Sequence, residues 1–527
     1  MATSKIPSVG TSSTASAEAE AGHPRRWWIL AALALSLLVV GLDATVLNVA
    51  LSDISRALGA STTELQWIVN GYGLTSAVLL IPAGLLGDRI GRRRVLAVGL
   101  AIFVVASAVG SLAQNPAELI AARTVMGVGA AAVFPLALSI IPTVFAPRER
   151  PKAVAVMTAA MGLGMPLGPL VGGWLLDNFW WGATLLFNVP TVAVALGAGL
   201  AFIPNTRDPR PRRVNPLGLL LTVAGLTGIV YGITQVPIDG WGAGSTLVPL
   251  VGGFALLVAF GFLESRTSAP LLDRRLIRSR LFVWPTAATA LTSFVMMGLL
   301  FAIPLYLQAY LGDSALTTGL KLMPMMLTLV LGSGLSSRLG PRLGLKVIVP
   351  AGLLVSSAGF LALLGITPSS DYWPLLATLA ITGLGFGLAM PPAMAAMLDS
   401  LPDGVQSTGT GLNLSVRQTV GALGVAVLGS ILAAAYRAGM DAPTAHLPGA
   451  AASAARDSLG GAVAVAGRLG PAGAALRNAA GSAYLDGLHS VGLVCFGAAL
   501  VIAAAMAIVL PRHAQTPRTT AAGKMGS

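Results

Sequence analysis

Residues 84–96 read Gly84-Leu-Leu-Gly-Asp88-Arg89-Ile-Gly91-Arg92-Arg93-Arg94-Val-Leu96. On either side the chain is apolar for about 20 positions, the length a helix needs to cross the hydrocarbon core of a bilayer. A carboxylate and four arginines crowded between two such runs cannot lie in lipid. They mark a short turn on a membrane face, and Gly91 lets the backbone reverse there.

The rest of the chain has the same grain. Of 527 residues, 55% are hydrophobic and 10% charged, where soluble proteins carry about 25% charged residues. Mean hydropathy is +0.80. So few charges cannot clothe a water-facing surface of this size, and the chain's solvent is largely lipid. A net charge of +13 would also suit a nucleic-acid binder. In such a protein the basic residues share one folded face with aromatics between them; here they sit in short clusters between apolar runs, which excludes nucleic acid as a partner.

Apolar runs of spanning length begin near Trp27, Glu64, Arg93, Ala117, Lys152, Trp181, Asn215, Ser245, Leu281, Thr317, Leu345, Trp373, Gly411 and Leu488. This gives fourteen transmembrane helices, with Pro237, Asp239 and Gly240 turning the chain between the seventh and eighth. Positive residues test the count, because loops rich in Lys and Arg stay on the cytoplasmic side. With the amino terminus inside, the short external loops hold one cation, Arg56. The long loop from about Tyr436 to Gly487 holds Arg437, Arg456, Arg468 and Arg477. Arg123, Lys321 and Arg417 lie within spans, and every other Lys and Arg falls on the cytoplasmic side. The expected location is the inner (plasma) membrane with both termini cytoplasmic.

The chain divides into a disordered tail (1–26), a six-helix bundle (27–204), two inserted helices (205–280), a second six-helix bundle (281–511) with a long external loop about 436–487, and a second tail (512–527). Residues 87–94 after the second span are echoed by 336–343 after the tenth, so that Arg89, Gly91 and Arg93 align with Arg338, Gly340 and Arg342. Two six-helix halves related by an axis along the membrane normal build one large transporter fold. The loop at 436–487, rich in Ala and Gly, reads either as a peripheral helix or as loosely ordered chain. The single cysteine, Cys495, permits no disulfide within the chain. His23, His446, His489 and His513 have no metal-ligand spacing. No cofactor is expected, and no Gly-x-x-x-x-Gly-Lys-[ST] phosphate loop is present to take energy from ATP.

Gly84-x-Leu86-x-Asp88-Arg89-x-Gly91-Arg92-Arg93-x-x-Leu96 resembles the loop signature of the major facilitator superfamily at every fixed position. Gly164-x-x-x-Gly168-Pro169-x-x-Gly172-Gly173, in the fifth span, resembles that superfamily's antiporter motif. Leu42-Asp43-x-Thr45-Val46-x-Asn48-Val49-Ala50-Leu51, with Trp67, Tyr72, Asn413, Arg417, Gln418 and Gly421, is similar to the fourteen-span drug:proton antiporter family (EmrB/QacA type). The resemblance runs from about Trp27 to Leu510. It implies an all-α major facilitator fold, two six-helix bundles plus two inserted helices. It also implies a monomeric, non-enzymatic exporter driven by the proton gradient, acting in multidrug or antibiotic resistance.

Individual residues admit rival readings. Asp88 among arginines can latch one conformation and release another, or the loop only turns the chain and sets topology. Gly164, Gly168, Gly172 and Gly173 admit a close partner helix, and Pro166 and Pro169 invite a bend. The resemblance implies that this bend shapes the central cavity and suppresses leak. Asp43 is the one acid well inside a span. A carboxylate in lipid is a functional-site hypothesis by default, because low dielectric penalises its charged form; the alternative is a structural acceptor paired with Arg123. Arg123 lies in an Arg-x-x-x-Gly-x-Gly stretch, where Met126 replaces the family's usual glutamine. It either holds Asp43 ionised until a proton or substrate displaces it, or snorkels. Lys321 and Arg417 sit nearer span ends, and Lys321 reads as snorkelling. Asn48, Trp67, Tyr72, Met297, Gln308 and Arg417, together with Met296, Tyr306, Met323 and Met326, are candidate cavity residues or ordinary helix packing. The expected substrates are small, hydrophobic or cationic drug-like molecules. Nutrient or metabolite transport on the same fold is the alternative. A membrane enzyme is disfavoured because no cluster of His, Asp or Glu gathers at one face, and a channel because no ring-forming filter is visible.

Overall fold

A computed structural model describes residues 23–146, 148–207, 216–266, 279–368, 370–400 and 406–509. The expected tails at 1–26 and 512–527 lie outside the described residues apart from 23–26. Everything regular among the described residues is helical.

The first half comprises α1 (Arg26–Leu58), α2 (Thr62–Ile90), α3 (Arg92–Gly110), α4 (Pro116–Val144), α5 (Arg150–Asn178) and, after one turn at Ala183–Leu186, α6 (Asn188–Phe202). Two helices follow, α7 (Pro216–Asp239) and α8 (Gly244–Arg266). The second half comprises α9 (Arg280–Leu305, prolonged by a π-helical turn at Tyr306–Tyr310), α10 (Ala315–Leu343), α11 (Leu345–Leu363), α12 (Tyr372–Asp399) and α13 (Gln406–Thr444). Two short helices, α14 (Gly449–Asp457) and α15 (Leu459–Arg468), then lead into the last, α16 (Ala474–Val509). Thirteen helices among the described residues are long and apolar enough to cross a membrane. The remaining expected span, α5, is a continuous helix of 29 residues that runs through Pro166 and Pro169, with several side chains outside those described. Outward faces carry apolar side chains, such as Val248 at 72% and Phe254 at 66% exposure on α8, as a lipid solvent requires.

Within each half the helices pack on one another, and the halves meet along three seams, α1 on α9, α2 on α13 and α5 on α10. Inserted helix α7 lies against both α2 and α13, and α8 packs on α7. One end of the bundle carries Arg89–Arg94 and is called the basic end; the other carries α14 and α15 and is called the cap end.

The internal repeat is present in a different register. Helices α2 and α10 are both 29 residues long, and α3 and α11 both 19. Both long helices start on a serine cap, Ser61 accepting from the Glu64 amide and Ser314 from the Thr317 amide. Both pairs turn on one glycine outside the right-handed region, Gly91 at φ 126° and Gly344 at φ 75°. Gly91 therefore matches Gly344, not Gly340, and Arg89 matches Arg342. The alignment drawn from the basic residues slips by about one helical turn, because the second-half helix continues through Gly340.

Two boundaries differ from the expected ones. The last helix begins at Ala474, ahead of the apolar run that starts near Leu488, and α13 runs on to Thr444. Alanine is the strongest helix former, so Ala-rich chain stays helical past the edge of the lipid even where Arg477 and Asp486 interrupt its hydropathy. The stretch 436–487 is thus almost entirely helical. Its α15 buries Leu459, Ala462, Val465 and Ala466. Thr62 at the start of α2 donates to the Asp457 carbonyl at 2.8 Å, and Arg477 to the Tyr310 carbonyl at 2.8 Å. The cap thereby touches both halves.

Candidate functional site

Between Arg26 and Arg56 near its ends, helix α1 is apolar except for short polar side chains, and most of it is enclosed by its neighbours. Asp43 sits midway along it with no exposed surface. Its Oδ2 accepts from Arg123 Nη1 at 2.6 Å and its Oδ1 from Asn188 Nδ2 at 2.8 Å. Arg123, on α4, is 2% exposed. Its Nε donates to the Ile68 carbonyl at 3.4 Å, and its guanidinium carbon lies 4.2 Å from the centre of the Tyr72 ring. Asn188 opens α6 and also donates to Ser107 Oγ at 3.3 Å, while Ser107 donates to the Leu185 carbonyl at 2.8 Å. Five helices of the first half thus contribute to one buried polar node.

Each partner does identifiable work. A buried carboxylate without compensation is expensive, and an arginine with a charge-assisted hydrogen bond supplies both charge and direction. Arg123 therefore pairs rather than snorkels. Tyr72, expected at the cavity, packs beneath the guanidinium and against Phe103, so it belongs to this node. Asn188 and Ser107 escaped the sequence reading. A single Asn or Ser in an apolar run has no spacing that reveals its partner; the only signal was an amide in a span, which needs a partner there.

The fifth-span glycines bear on the same helix. A Cβ on Gly164 would strike Leu38 and Leu42, one on Gly168 would strike Thr45 and the Leu42 carbonyl, and one on Gly172 would strike Val46. Helix α5 therefore lies backbone to backbone on the residues flanking Asp43. At the cap end it turns to the other half: a Cβ on Gly173 would meet Leu316, and one on Gly319 would meet Pro169. The Asp177 carboxylate receives Ser314 Oγ there at 3.0 Å.

In the basic loop, Asp88 Oδ1 receives Arg92 Nε at 2.9 Å, and Arg92 Nη1 donates to the Ser139 carbonyl at 2.8 Å. Arg93 donates to the Ile203 carbonyl at 3.3 Å, and the Arg92 amide to Thr206 at 3.0 Å. A Cβ on Gly91 would strike the Asn205 side chain, and one on Gly84 would press on Pro135. Arg89 is exposed. Every partner named for this loop lies in the first half or in the two residues that follow it, Asn205 and Thr206.

The candidate cavity residues scatter. Gln308, in the π-helical turn, donates to the Val49 carbonyl at 2.6 Å and so ties α9 to α1 near the cap. Asn48 is 2% exposed, and its amide nitrogen has no protein partner. Trp67 packs toward Tyr231 of inserted helix α7, ring centres 6.2 Å apart. Met297 faces Gly421. Lys321 pairs with Asp313 at 2.5 Å instead of reaching freely for the interface. Arg417 is half-buried and lies deeper than expected. It bonds Ser293 near the middle of α9, while its neighbour Ser415 donates to Ala77 near the middle of α2. Helix α13 is longer than its apolar stretch, which moves Arg417 away from the end.

The arrangement offers a buried, removable ion pair in one half, close-packed glycines beside it and seams between two repeats. Among the described residues no group of His, Cys, Asp and Glu could hold a metal ion. The sequence pattern of the Major Facilitator Superfamily matches residues 33–425. The multidrug efflux pump LfrA of Mycolicibacterium smegmatis is 32% identical over 491 residues, covering 92% of this chain and 96% of that one. The puromycin resistance protein of Streptomyces alboniger is 35% identical over 431 residues, covering 81% and 85%. Among solved structures, a bacterial homologue of the human lysosomal transporter Spinster, inward-facing and unoccupied, superposes with TM-score 0.63 at 22% identity over 92% of this chain and 96% of that one. The D-xylose–proton symporter gives 0.59 at 14% identity, over 92% and 98%. By sequence pattern, by relatives across nearly its whole length and by its two-half fold, the chain belongs to the Major Facilitator Superfamily.

Proposed function

We propose that this protein is a proton-driven exporter of drug-like compounds that works by alternating access, a monomer of the fourteen-span drug:proton antiporter type. The division into bundles at 27–204 and 281–511 with two inserted helices at 205–280 is part of this reading. So is a plasma-membrane location with the basic end and both termini in the cytoplasm, which the distribution of Lys and Arg supports. The relatives named for drug efflux and antibiotic resistance support the substrate class.

One observation carries the reading: the Asp43–Arg123 pair, at 2.6 Å and sealed from solvent. Protonation of Asp43 removes the charge that compensates Arg123, so the surrounding helices must repack to answer the guanidinium. A group whose protonation forces repacking is what couples a proton to a conformational change. The glycines of α5 transmit that repacking, since they touch α1 beside Asp43 and touch α10 across the seam. In this conformation the named contacts between halves, Gln308 to Val49, Asp177 to Ser314 and Ser415 to Ala77, lie at the cap end and the middle of the bundle. That supports a state closed toward the cap and able to load from the basic end. Asp88 and its arginines then brace the first half as a rigid body.

The test is efflux of a hydrophobic dye from vesicles containing the purified protein under an imposed pH gradient. Efflux that accelerates with the gradient and stops when a protonophore collapses it is the expected result. Dye movement indifferent to the gradient would refute proton drive.

A further inference from the structure

Of the cations Arg123, Lys321 and Arg417, which the sequence places within apolar spans, two are answered: Arg123 by Asp43 and Lys321 by Asp313. Arg417 has no carboxylate within ion-pair distance among the described residues. Its Nε donates to Ser293 Oγ at 3.4 Å, a long bond to a neutral hydroxyl. Guanidinium carries five N–H donors, so most of its capacity is unspent. A cation in the middle of a membrane bundle without an acid turns its charge toward backbone carbonyls, water or a ligand, and among the described residues the bond seen for Arg417 goes to a side-chain hydroxyl and not to a carbonyl.

Its surroundings show which. Helix α13 lies on the seam between the halves, with Ser415 bonded to Ala77 and Ala422 against Gly73, both on α2. The positions one turn to either side of Arg417 are Asn413 and Gly421. Asn413, fully buried, donates to Thr286 and Thr289 Oγ1 at 3.3 Å, and Gly421 packs on Ser293 and Met297, where a Cβ would lie 3.3 Å from Met297 Cγ. A planar donor fork thus stands at the seam beside a buried polar ledge of Asn413, Thr286 and Thr289.

We propose that Arg417 is the substrate-recognising cation of this transporter, and that it takes a carboxylate or an equivalent anionic acceptor on an otherwise hydrophobic molecule. Bidentate pairing with such a group is the strongest contact a guanidinium makes. The proposal rests on the export reading and divides its substrate class. The ion pair contributes no net charge to the interior and Arg417 contributes one positive charge, so the site selects against cations.

The experiment uses the full-length protein in liposomes with an imposed pH gradient and three probes on one naphthalene scaffold. They bear a carboxylate, its methyl ester or a trimethylammonium group. The wild type is expected to export the carboxylate at least about tenfold faster than the trimethylammonium compound, the scale of one charge-assisted hydrogen bond. Arg417→Gln should bring the carboxylate down to the rate of the ester while ester export persists, and Arg417→Lys should restore part of the preference. Equal export of all three probes by the wild type, preference for the cation, or an unchanged carboxylate preference in Arg417→Gln would each overturn the proposal. Failure of every probe to respond to the gradient would refute the export reading instead. If Arg417→Gln does not insert, the wild-type ranking alone decides.

Discussion

The two halves of this transporter share a scaffold and differ in chemistry. Helices α2–α3 and α10–α11 have equal lengths, equal serine caps and a turning glycine at the same place. Yet the first half encloses a compensated ion pair, while the second holds Arg417 against a neutral hydroxyl. The repeat supplies two hinged bodies; the residues that depart from the repeat supply function. In the proposed cycle the first half answers the proton and the second answers the substrate.

The largest expected effect comes from breaking the ion pair on one side only. Arg123→Gln leaves a buried carboxylate uncompensated, which costs about 3–5 kcal/mol where such pairs have been broken. Thermal unfolding in detergent should show it, and coupled efflux should vanish. The double variant Asp43→Asn with Arg123→Gln should recover most of the stability and none of the coupling. Arg417→Gln should leave stability nearly unchanged by the same assay, because it gives up one long bond to the Ser293 hydroxyl and orphans no charge; a loss as large as that of Arg123→Gln would erase the contrast between the halves.

Next in size is Gly168→Val. Its side chain would enter the space held by Thr45 and the Leu42 carbonyl and force α5 away from α1, at about 1–3 kcal/mol for such overpacking. Transport should fall further than stability. The matched change at Gly197 on α6, where a Cβ meets nothing, should leave both near wild type.

Gln308→Leu removes the bond from α9 to the Val49 carbonyl. A typical net hydrogen-bond contribution of about 1 kcal/mol corresponds to a roughly fivefold shift in the balance of states. Cys495 is fully buried, so a cysteine placed at Ser52 can be read against it with a membrane-impermeant maleimide. Faster labelling from the cap side in the Gln308→Leu background is the expected outcome, and an unchanged rate would remove Gln308 from the gate. The smallest effect on transport is expected for Gly344→Ala, where φ 75° with ψ 162° is backbone that only glycine adopts readily and costs an L-residue about 1–3 kcal/mol of stability. A drop in melting temperature with normal transport would fit a turning role without chemistry.

Much of this was open to the sequence because lipid imposes a simple grammar. Spans show as apolar runs, cytoplasmic turns as basic clusters, and an acid within a span stands out; Asp43 and Arg123 were legible for that reason, and so was their pairing. Asn188 and Ser107 were not, since a lone polar residue in an apolar run names no partner until helices are packed. Trp67 and Tyr72 are aromatic residues on one helix whose destinations differ only through neighbours. The repeat register is not legible from arginine spacing, because the turning glycine and not the basic residues marks equivalent positions. The extent of α16 failed because hydropathy locates lipid, whereas alanine extends helix beyond it.

The most direct measurement is gradient-driven efflux in vesicles by Asp43→Asn, set beside exchange of substrate across the same vesicles without a gradient. Proton coupling through Asp43 predicts that the variant keeps exchange and loses all response to the pH gradient. Gradient-driven efflux at the wild-type rate would show that the proton is carried elsewhere.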